Sequence, residues 1–398
     1  MDVEKELDFI VVGGGASGFF GAINLARIGQ KVLILEKFQK VLTKLAVSGG
    51  GRCNVTHNQF DPKLLIQNYP RGSKALLGLF HHFNPKDMMA WLEQAGVSLK
   101  IEADGRIFPV SNSSSTIIEC FVNEATKEGV EIIKGCEVLD IVCQPNHCEV
   151  TTDQGVFKSK NVLIASGSNK AVWEIIKKLG HHIIEPTPSL FALNTPNSIF
   201  NNLSGLSVSP ATISYNNHSF TGPLLLTHFG LSGPAALKLS SFAALDFAGM
   251  GYKAELYIDF LPNTSSNELL NLFTKETKTF NQIQLGLPKR LWELLLQTLN
   301  LDKNKPLNHI SKNDKNRLIQ ALKKSAVMMD GKTTHKEEFV TAGGVDLKEV
   351  NFSTMQSKLH PHLYFAGEVL NIDGVTGGFN FQAAWTTSYL ISSKLNSR

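Results

Sequence analysis

The stretch DFIVVGGGASGFFGAINLARIGQKVLILEK, Asp8 to Lys37, decides how this chain folds. Phe9 to Val12 are an apolar run of strand length, and Gly13, Gly15 and Gly18 follow at G-x-G-x-x-G spacing. The first glycine permits a tight turn, the second lets a pyrophosphate approach the backbone, and the third lets the next helix pack on the strand. Ala16, Phe20, Ile23 and Ala26 recur at helical spacing up to Gly29, and the start of that helix offers free N–H groups to a phosphate. A second apolar strand, Lys31 to Leu35, ends at Glu36, eighteen residues past the third glycine, where a carboxylate can accept the hydroxyls of an adenosine ribose. Strand, glycines, helix, strand and acid in one unit predict a dinucleotide-binding βαβ.

Working outward, 398 residues suffice for two or three domains. The start MDVEKELD lacks the pattern of a signal peptide and no apolar run nears bilayer length, so a cytoplasmic protein without membrane contact is expected. Five cysteines (Cys53, Cys120, Cys136, Cys143, Cys148) without C-x-x-C pairs suit reduced thiols. Cys143 and Cys148 flank the turn QPNH and should face each other across a hairpin, as structural residues or as a redox pair. The histidine pairs show no metal-ligand spacing, so no metal site is expected. The net charge is +4, yet Asn271 to Lys324 hold eleven Lys or Arg against four Asp or Glu. That local positive field reads either as a solvated helical face or as a surface for a phosphate-rich partner such as RNA.

Lys44 to Asn58, KLAVSGGGRCNVTHN, is too rich in glycine for a core element and reads as a functional loop along the cofactor. Gly49, Gly50 and Gly51 let backbone amides approach a ligand, and Lys44, Arg52 and Asn54 can hold flavin or substrate oxygens. Cys53 beside Arg52 is either a reactive thiol or a small residue packed beneath the cofactor. Helices are expected in Asp61–Leu99 and Ser113–Gly129, then a small meander of short strands from Glu131 to Lys158. Asn161 to Ser168, NVLIASGS, is an apolar strand ending at Ser166-Gly167, a second backbone approach to a nucleotide. Strand-like sequence from Phe191 to Phe260 is followed by a helical pattern from Asn263 to Lys324, without a second glycine fingerprint. The chain then returns: a strand ends at Gly367-Glu368, DGVTGGFNFQ (Asp373 to Gln382) is a glycine-rich turn, and Ala383 to Leu395 form a closing helix. A carboxylate after that strand can bind a ribityl hydroxyl, and the N-terminus of the last helix can stabilise charge on a reduced flavin.

GGGASG (Gly13 to Gly18), KLAVSGGGRCNVTH (Lys44 to His57), GRIFP (Gly105 to Pro109), LSGPA (Leu231 to Ala235), TAGGV (Thr341 to Val345) and AGEVLNIDGVTGGFNFQAAW (Ala366 to Trp385) together resemble the bacterial YhiN-like (BaiN/RdsA) family of NAD(P)/FAD-dependent oxidoreductases. The resemblance implies an α/β fold: a Rossmann-like FAD-binding domain of the two-dinucleotide-binding-domain flavoprotein type, interrupted by a β-barrel-like and a helical insert. The corresponding boundaries are residues 1–190 plus 340–398 for the FAD domain, 191–262 plus 325–339 for the barrel-like insert and 263–324 for the basic helical insert. It implies FAD as cofactor, with NAD(P)H a transient reductant. The cofactor contacts so expected are Gly13, Gly15, Ala16, Ser17, Gly18, Glu36, Lys37, Lys44, Ser48, Gly50, Gly51, Asn54, Val138, Ser166, Gly167, Gly367, Glu368, Thr376, Gly377, Gly378, Phe379 and Asn380.

Members of that family are associated with dihydrouridine formation in ribosomal RNA and with reduction of activated C=C bonds in steroid-like molecules. Both are one chemistry, hydride from flavin N5 to the β-carbon and a proton from a general acid to the α-carbon. Cys53 is the candidate acid, with Lys44 and Arg52 stabilising the enolate oxygen or only positioning FAD. The expected substrate is uridine in ribosomal RNA, bound through the basic helical insert. The alternatives are a small steroid-like enone, and a flavin-bound RNA or ribosome-associated factor without turnover. A flavin disulfide reductase is disfavoured, because the loop after the second strand holds one cysteine where such enzymes need two.

Overall fold

The structure, a computed structural model, describes residues 7–283, 285–333 and 340–396. Residues 334–339, assigned above to the barrel-like insert, lie outside the described residues, as do residues 1–6 and 397–398. The chain divides into two compact units, Met1–Pro186 with Val340–Arg398, and Thr187–Phe339.

In the first unit β1 (Leu7–Val12) leads through the glycine turn into α1 (Ala16–Arg27) and on to β2 (Val32–Glu36). Gly29, at a φ of 84°, ends the helix in the left-handed region that favours glycine. Then follow α2 (Thr43–Gly51), α3 (Ser114–Lys127), β3 (Glu131–Lys134), β4 (Val138–Cys143), β5 (Cys148–Thr152), β6 (Gly155–Ile164) and α4 (Lys170–Lys178). The chain leaves this unit through β7 (Ile183–Ser189).

The second unit holds β8 (Ala192–Asn194), β9 (Ser207–Tyr215), β10 (His218–Leu226), β11 (Gly230–Ser232), α5 (Gly233–Phe242) and β12 (Lys253–Asp259). The helices α6 (Ser266–Lys275), α7 (Lys289–Thr298) and α8 (Lys312–Lys323) come next, and then β13 (Ser325–Asp330) and β14 (Lys332–Thr333). Its sheet runs β13-β12-β9-β10-β11-β8-β14. Because β13 continues through Gly331 into β14, the strands at the two ends of that order are one chain segment, and the ladder closes on itself. The apolar residues of α6, α7 and α8, among them Leu269, Phe273, Leu291, Leu295, Leu318 and Leu322, lie in one hydrophobic core with Ile213, Leu224, Leu256 and Ile258 of the sheet. The helical segment is therefore not a third body: its stripes are covered by the sheet.

The return to the first unit begins with β15 (Val340–Val345), which pairs with β7, and continues to β16 (Leu363–Phe365) and α9 (Phe379–Leu395). The main sheet has β16, β6, β1, β2 and β3 side by side and parallel, so its central strands are apolar on both faces. Phe9, Ile10 and Val11 are fully buried accordingly. The helix α9 buries residues on nearly every side, as expected of one covered by α1 and other helices. Trp385 packs its ring 5.4 Å from Phe20 of α1 and 5.3 Å from Phe121 of α3; such ring pairs contribute about 0.5–1.5 kcal/mol each beyond area burial.

Three local expectations are corrected. Thr43–Gly51 is helical where the glycine content predicts a loop, because only Ser48, Gly49 and Gly50 leave helical geometry. The last meander strand and the NVLIAS strand are one strand, β6, since no turn residue separates Lys158 from Asn161. The closing helix starts at Phe379 rather than Ala383, with Gly378 at its N-cap at a φ of 90°.

Candidate functional site

The site is built at the carboxyl edge of the parallel strands, from both ends of the first unit. Gly13 leaves β1 with a φ of 111°, and a Cβ there would stand 2.7 Å from the Ala165 carbonyl and 2.9 Å from Cα of Ser166, so the glycine turn abuts the end of β6. A Cβ on Gly18 would lie 1.9 Å from the Gly13 carbonyl oxygen, which is why the third glycine lets α1 sit close to the turn. A Cβ on Gly15 would meet nothing within 4 Å. Gly15 therefore borders open space at the N-terminus of α1, and no side chain caps that helix. Glu36 accepts from the Gly14 amide at 2.7 Å and from the Phe38 amide at 2.8 Å, which orients its carboxylate beside the turn. Lys37 reaches the surface and pairs with Glu137 at 2.6 Å. The Cys136 amide donates to the Glu36 carbonyl, which brings buried Val138 to the same corner.

The second cluster forms around Glu368. Lys44 pairs with its carboxylate and donates to Ser168 at 3.3 Å, and the Thr341 amide donates to it at 3.2 Å. Gly167 lies against the same carboxylate. Gly367, at a φ of 77°, faces Ser17, whose hydroxyl would stand 2.7 Å from any Cβ there. A lysine ammonium has three donors, so Lys44 keeps one for a further acceptor.

The third cluster joins the loop after β2 to α9. The Trp385 indole donates to the Val55 carbonyl at 2.9 Å, and Thr56 bonds Gln382 at 2.6 Å. A Cβ on Gly378 would strike the Thr56 carbonyl at 2.6 Å, and Phe379 stacks on His57 with ring centroids 4.8 Å apart. GRCNVTH and GGFNFQAAW are thus one interlocked structure. Thr376 and Gly377 stand at the accessible rim of this turn. No side chain caps α9, so its first-turn amides remain available. Asn380 instead closes the turn on itself, with its amide bonded to both N and O of Gly374 at 2.8 Å.

The expected catalytic trio is arranged differently from the sequence reading. Cys53 is fully buried, at a φ of 61°, and burial pushes its thiol up to about 12 despite a hydrogen bond with Ser48. That burial favours the packing reading of Cys53 over the acid reading. Arg52 bonds Glu102 at 2.6 Å and lies 4.0 Å over the Phe108 ring, which fixes its guanidinium. Gly49 also packs on Phe108, Gly50 and Gly51 border open space, and Asn54 accepts from the Ile107 amide at 3.3 Å. Half-buried His57 has its pKa lowered by burial, although the Asp104 carbonyl opposes this.

A pair that sequence reading missed ties the turn down. Arg71 and buried Asp373 form a two-pronged ion pair, and buried Tyr69 donates to the Phe379 carbonyl at 2.7 Å. The available signal was an acid opening a glycine-rich turn, with an arginine between Pro70 and Gly72 upstream.

A flavin dinucleotide fits these residues. The Ser17 and Ser166 hydroxyls, in and beside the glycine turn, are buried without a hydrogen-bond partner among the described residues. Such orphans cost about 1–3 kcal/mol each, and a ligand with acceptor oxygens would satisfy them. Two uncapped helix N-termini supply further donors for anionic groups. Among the described residues there is no group of three or more His, Cys, Asp or Glu suited to a metal ion. No described helix is long and apolar enough to cross a membrane.

Residues 7–394 match the family described as "HI0933-like protein Rossmann domain". The chain is similar to a protein of Haemophilus influenzae named "Ribosomal RNA dihydrouridine synthase", at 28% identity over 96% of each chain. It is also similar, at 26% identity over 96% of this chain and 97% of the other, to the "3-dehydro-bile acid delta(4,6)-reductase" of Clostridium scindens. Among solved structures the 3-ketosteroid-delta4-(5alpha)-dehydrogenase of Rhodococcus jostii shares the fold, with a TM-score of 0.51 at 14% identity over 97% of both chains.

Proposed function

The chain belongs to the HI0933-like family of Rossmann-type, FAD-dependent oxidoreductases, and from that premise we propose that it reduces an activated C=C bond, with uridine in ribosomal RNA as substrate and NAD(P)H as the source of electrons. When bound, FAD supplies the hydride for such a reduction. The chain's own residues do the rest. Gly13, Gly15, Ala16, Ser17 and Gly18 hold the pyrophosphate, Glu36 the adenosine ribose with Lys37 and Val138 beside it, and Ser166, Gly167 and Glu368 the ribityl side. The amides opening α9 at Gly378 and Phe379 stabilise negative charge brought to them. Lys44, held by Glu368 and Ser168, offers its remaining N–H to an oxygen at this edge. Arg52, clamped between Glu102 and Phe108, positions the Gly49–Gly51 turn.

The observation that supports RNA over a small enone is the basic surface of the second unit. Lys278 and Lys303 lie on adjacent segments, linked by the Leu307 amide to the Lys278 carbonyl and the Asn281 amide to the Lys303 carbonyl. Lys275, Lys278, Lys303, Lys305 and Lys312 are all exposed. Among the described residues only Lys278 of these has an ion pair, with Glu276 at 4.0 Å. Exposed cations without partners give phosphate affinity that falls with salt.

The test is mass spectrometry of ribosomal RNA from cells with and without the gene. Loss of one dihydrouridine on deletion, restored by the wild-type chain and not by Gly15→Asp, supports the proposal. An unchanged RNA, together with turnover of a free enone that does not respond to salt, would replace it with the small-molecule reading.

A further inference from the structure

Outside the cofactor edge, the strands β4 and β5 bring two thiols together. Cys143 and Cys148 are directly opposed in the antiparallel register, and the Cys148 Sγ donates to the Cys143 Sγ at 3.2 Å while both remain free thiols. Side chains opposed on an antiparallel pair already have Cβ separations near those of a disulfide, so bonding needs the sulfurs to close by roughly 1 Å. Little else has to move. The turn between them is fastened by the Gln144 amide to the His147 carbonyl at 2.8 Å, and by His362, whose ring bonds the Pro145 carbonyl at 2.8 Å.

The two sulfurs are not equivalent. Cys143 is half-buried and reachable, whereas Cys148 is fully buried. The hydrogen bond from Cys148 lowers the pKa of Cys143, and the same bond raises that of Cys148. This is the asymmetry of an attacking thiol and a resolving thiol. The other cysteines lack it: Cys53 and Cys120 have raised pKa values through burial, and Cys136 is buried.

We propose that Cys143 and Cys148 are a reversible dithiol–disulfide site that exchanges with low-molecular-weight disulfides of the glutathione type. The Cys143 thiolate attacks one sulfur of the disulfide, the S–S bond breaks, and one small thiolate leaves. The proton lost by Cys143 ends on that leaving group. Cys148 then gives up its proton, attacks the Cys143 sulfur and expels the second small thiolate, which takes the proton. Two protein thiols are oxidised and one small disulfide is reduced to two thiols, so electrons and protons balance. The site sits at the far end of β4 from Val138, on a strand that begins beside Glu36.

The experiment uses the full-length flavoprotein equilibrated with oxidised and reduced glutathione at graded ratios, followed by alkylation, proteolysis and mass spectrometry. Accessible and buried thiols together should fall from five to three, and the peptide containing residues 143–148 should be lighter by two hydrogens and unalkylated, with full recovery in dithiothreitol. Cys148→Ser should stop at a stable glutathione adduct on residue 143, and Cys143→Ser should give neither adduct nor disulfide. Alkylation of both cysteines after exposure to oxidised glutathione alone, with the circular dichroism unchanged, would overturn the proposal. So would a wild-type chain that keeps the adduct on Cys143 without resolving it.

Discussion

Alanine at Gly15 and alanine at Gly18 should separate the two functions of the glycine turn. At Gly18 the new methyl would lie 1.9 Å from the Gly13 carbonyl oxygen, where contact distances of about 3.5 Å are needed. The obstacle is backbone, and α1 cannot retreat, because the Ser388 hydroxyl bonds the Ser17 carbonyl at 2.9 Å and Gly21 packs on Leu163. Overpacking costs ~1–3 kcal/mol when side chains can yield; here the upper end, ~3 kcal/mol, is expected, which lowers the melting midpoint of a unit this size by roughly 6–12 °C. At Gly15 the backbone has a φ of −88°, and the added carbon has no neighbour within 4 Å. The unfolded-state gain of about 0.4–1 kcal/mol and the weaker N-cap of alanine offset, so stability without FAD should stay within about 0.5 kcal/mol of wild type. FAD affinity should fall about tenfold or more, equivalent to ~1.4 kcal/mol. Urea unfolding of the FAD-free proteins and FAD titration by flavin fluorescence measure the two quantities separately. If Gly15→Ala bound FAD as wild type does, or destabilised the FAD-free chain as much as Gly18→Ala, the assignment of Gly15 to the pyrophosphate would be refuted.

Three further outcomes are expected. Buried His181 bonds Glu349 at 2.9 Å and Ser357 at 2.9 Å, and burial holds its pKa below the ordinary 6.5. As pH falls through 6.5 the unfolded chain takes the proton first. Stability present above that pH is therefore lost below it, by at most about 1.4 kcal/mol per pH unit until the native imidazole also protonates. His181→Gln should flatten the urea midpoint between pH 7 and pH 5, and an unchanged slope would assign the effect elsewhere. Asp373→Asn removes the carboxylate charge from a pair with side chains 0% and 10% exposed; a loss of about 3–5 kcal/mol is expected in thermal unfolding, and a loss under about 1 kcal/mol would show that the pair is dispensable. Cys53→Ala should keep turnover within about twofold while lowering stability by ~1 kcal/mol; a hundredfold loss of turnover with FAD still bound would return the acid role to this thiol.

Much of the geometry of the candidate site was legible because its determinants are local. Gly13, Gly15, Gly18 and Glu36 work through backbone conformation and the ends of two adjacent strands, and their spacing along the chain carries that geometry. The opposed cysteines were legible for the same reason, since a short turn between alternating strands sets the register. Burial was harder to read. Cys53 stands among glycines and polar residues, and only the folding of that segment into a kinked helix over Phe108 and Asn54 shows that its side chain points inward. The Arg71–Asp373 pair and the Thr56–Gln382 bond join residues some three hundred positions apart, so no window of sequence contains both partners. The covering of the amphipathic stripes of α6, α7 and α8 by the second unit's own sheet was hidden likewise, because a stripe declares that it is buried and not by what.

The separation between the two halves of the first unit also governs how the protein is made. Translation at about 5–20 residues per second delivers Asp8–Lys37 tens of seconds before α9. During that interval β1, α1 and β2 exist without the helix that covers Phe20 and without the segment after β16 that supplies Glu368. The second unit has all its strands and helices between Thr187 and Phe339 and can complete its core while the ribosome is still working. The nascent chain should therefore acquire the inserted unit first, and the flavin pocket only as a final event, when Phe379–Leu395 emerges and closes over a turn formed much earlier. Truncated products of this gene would then be folded at their centre and unable to retain the cofactor.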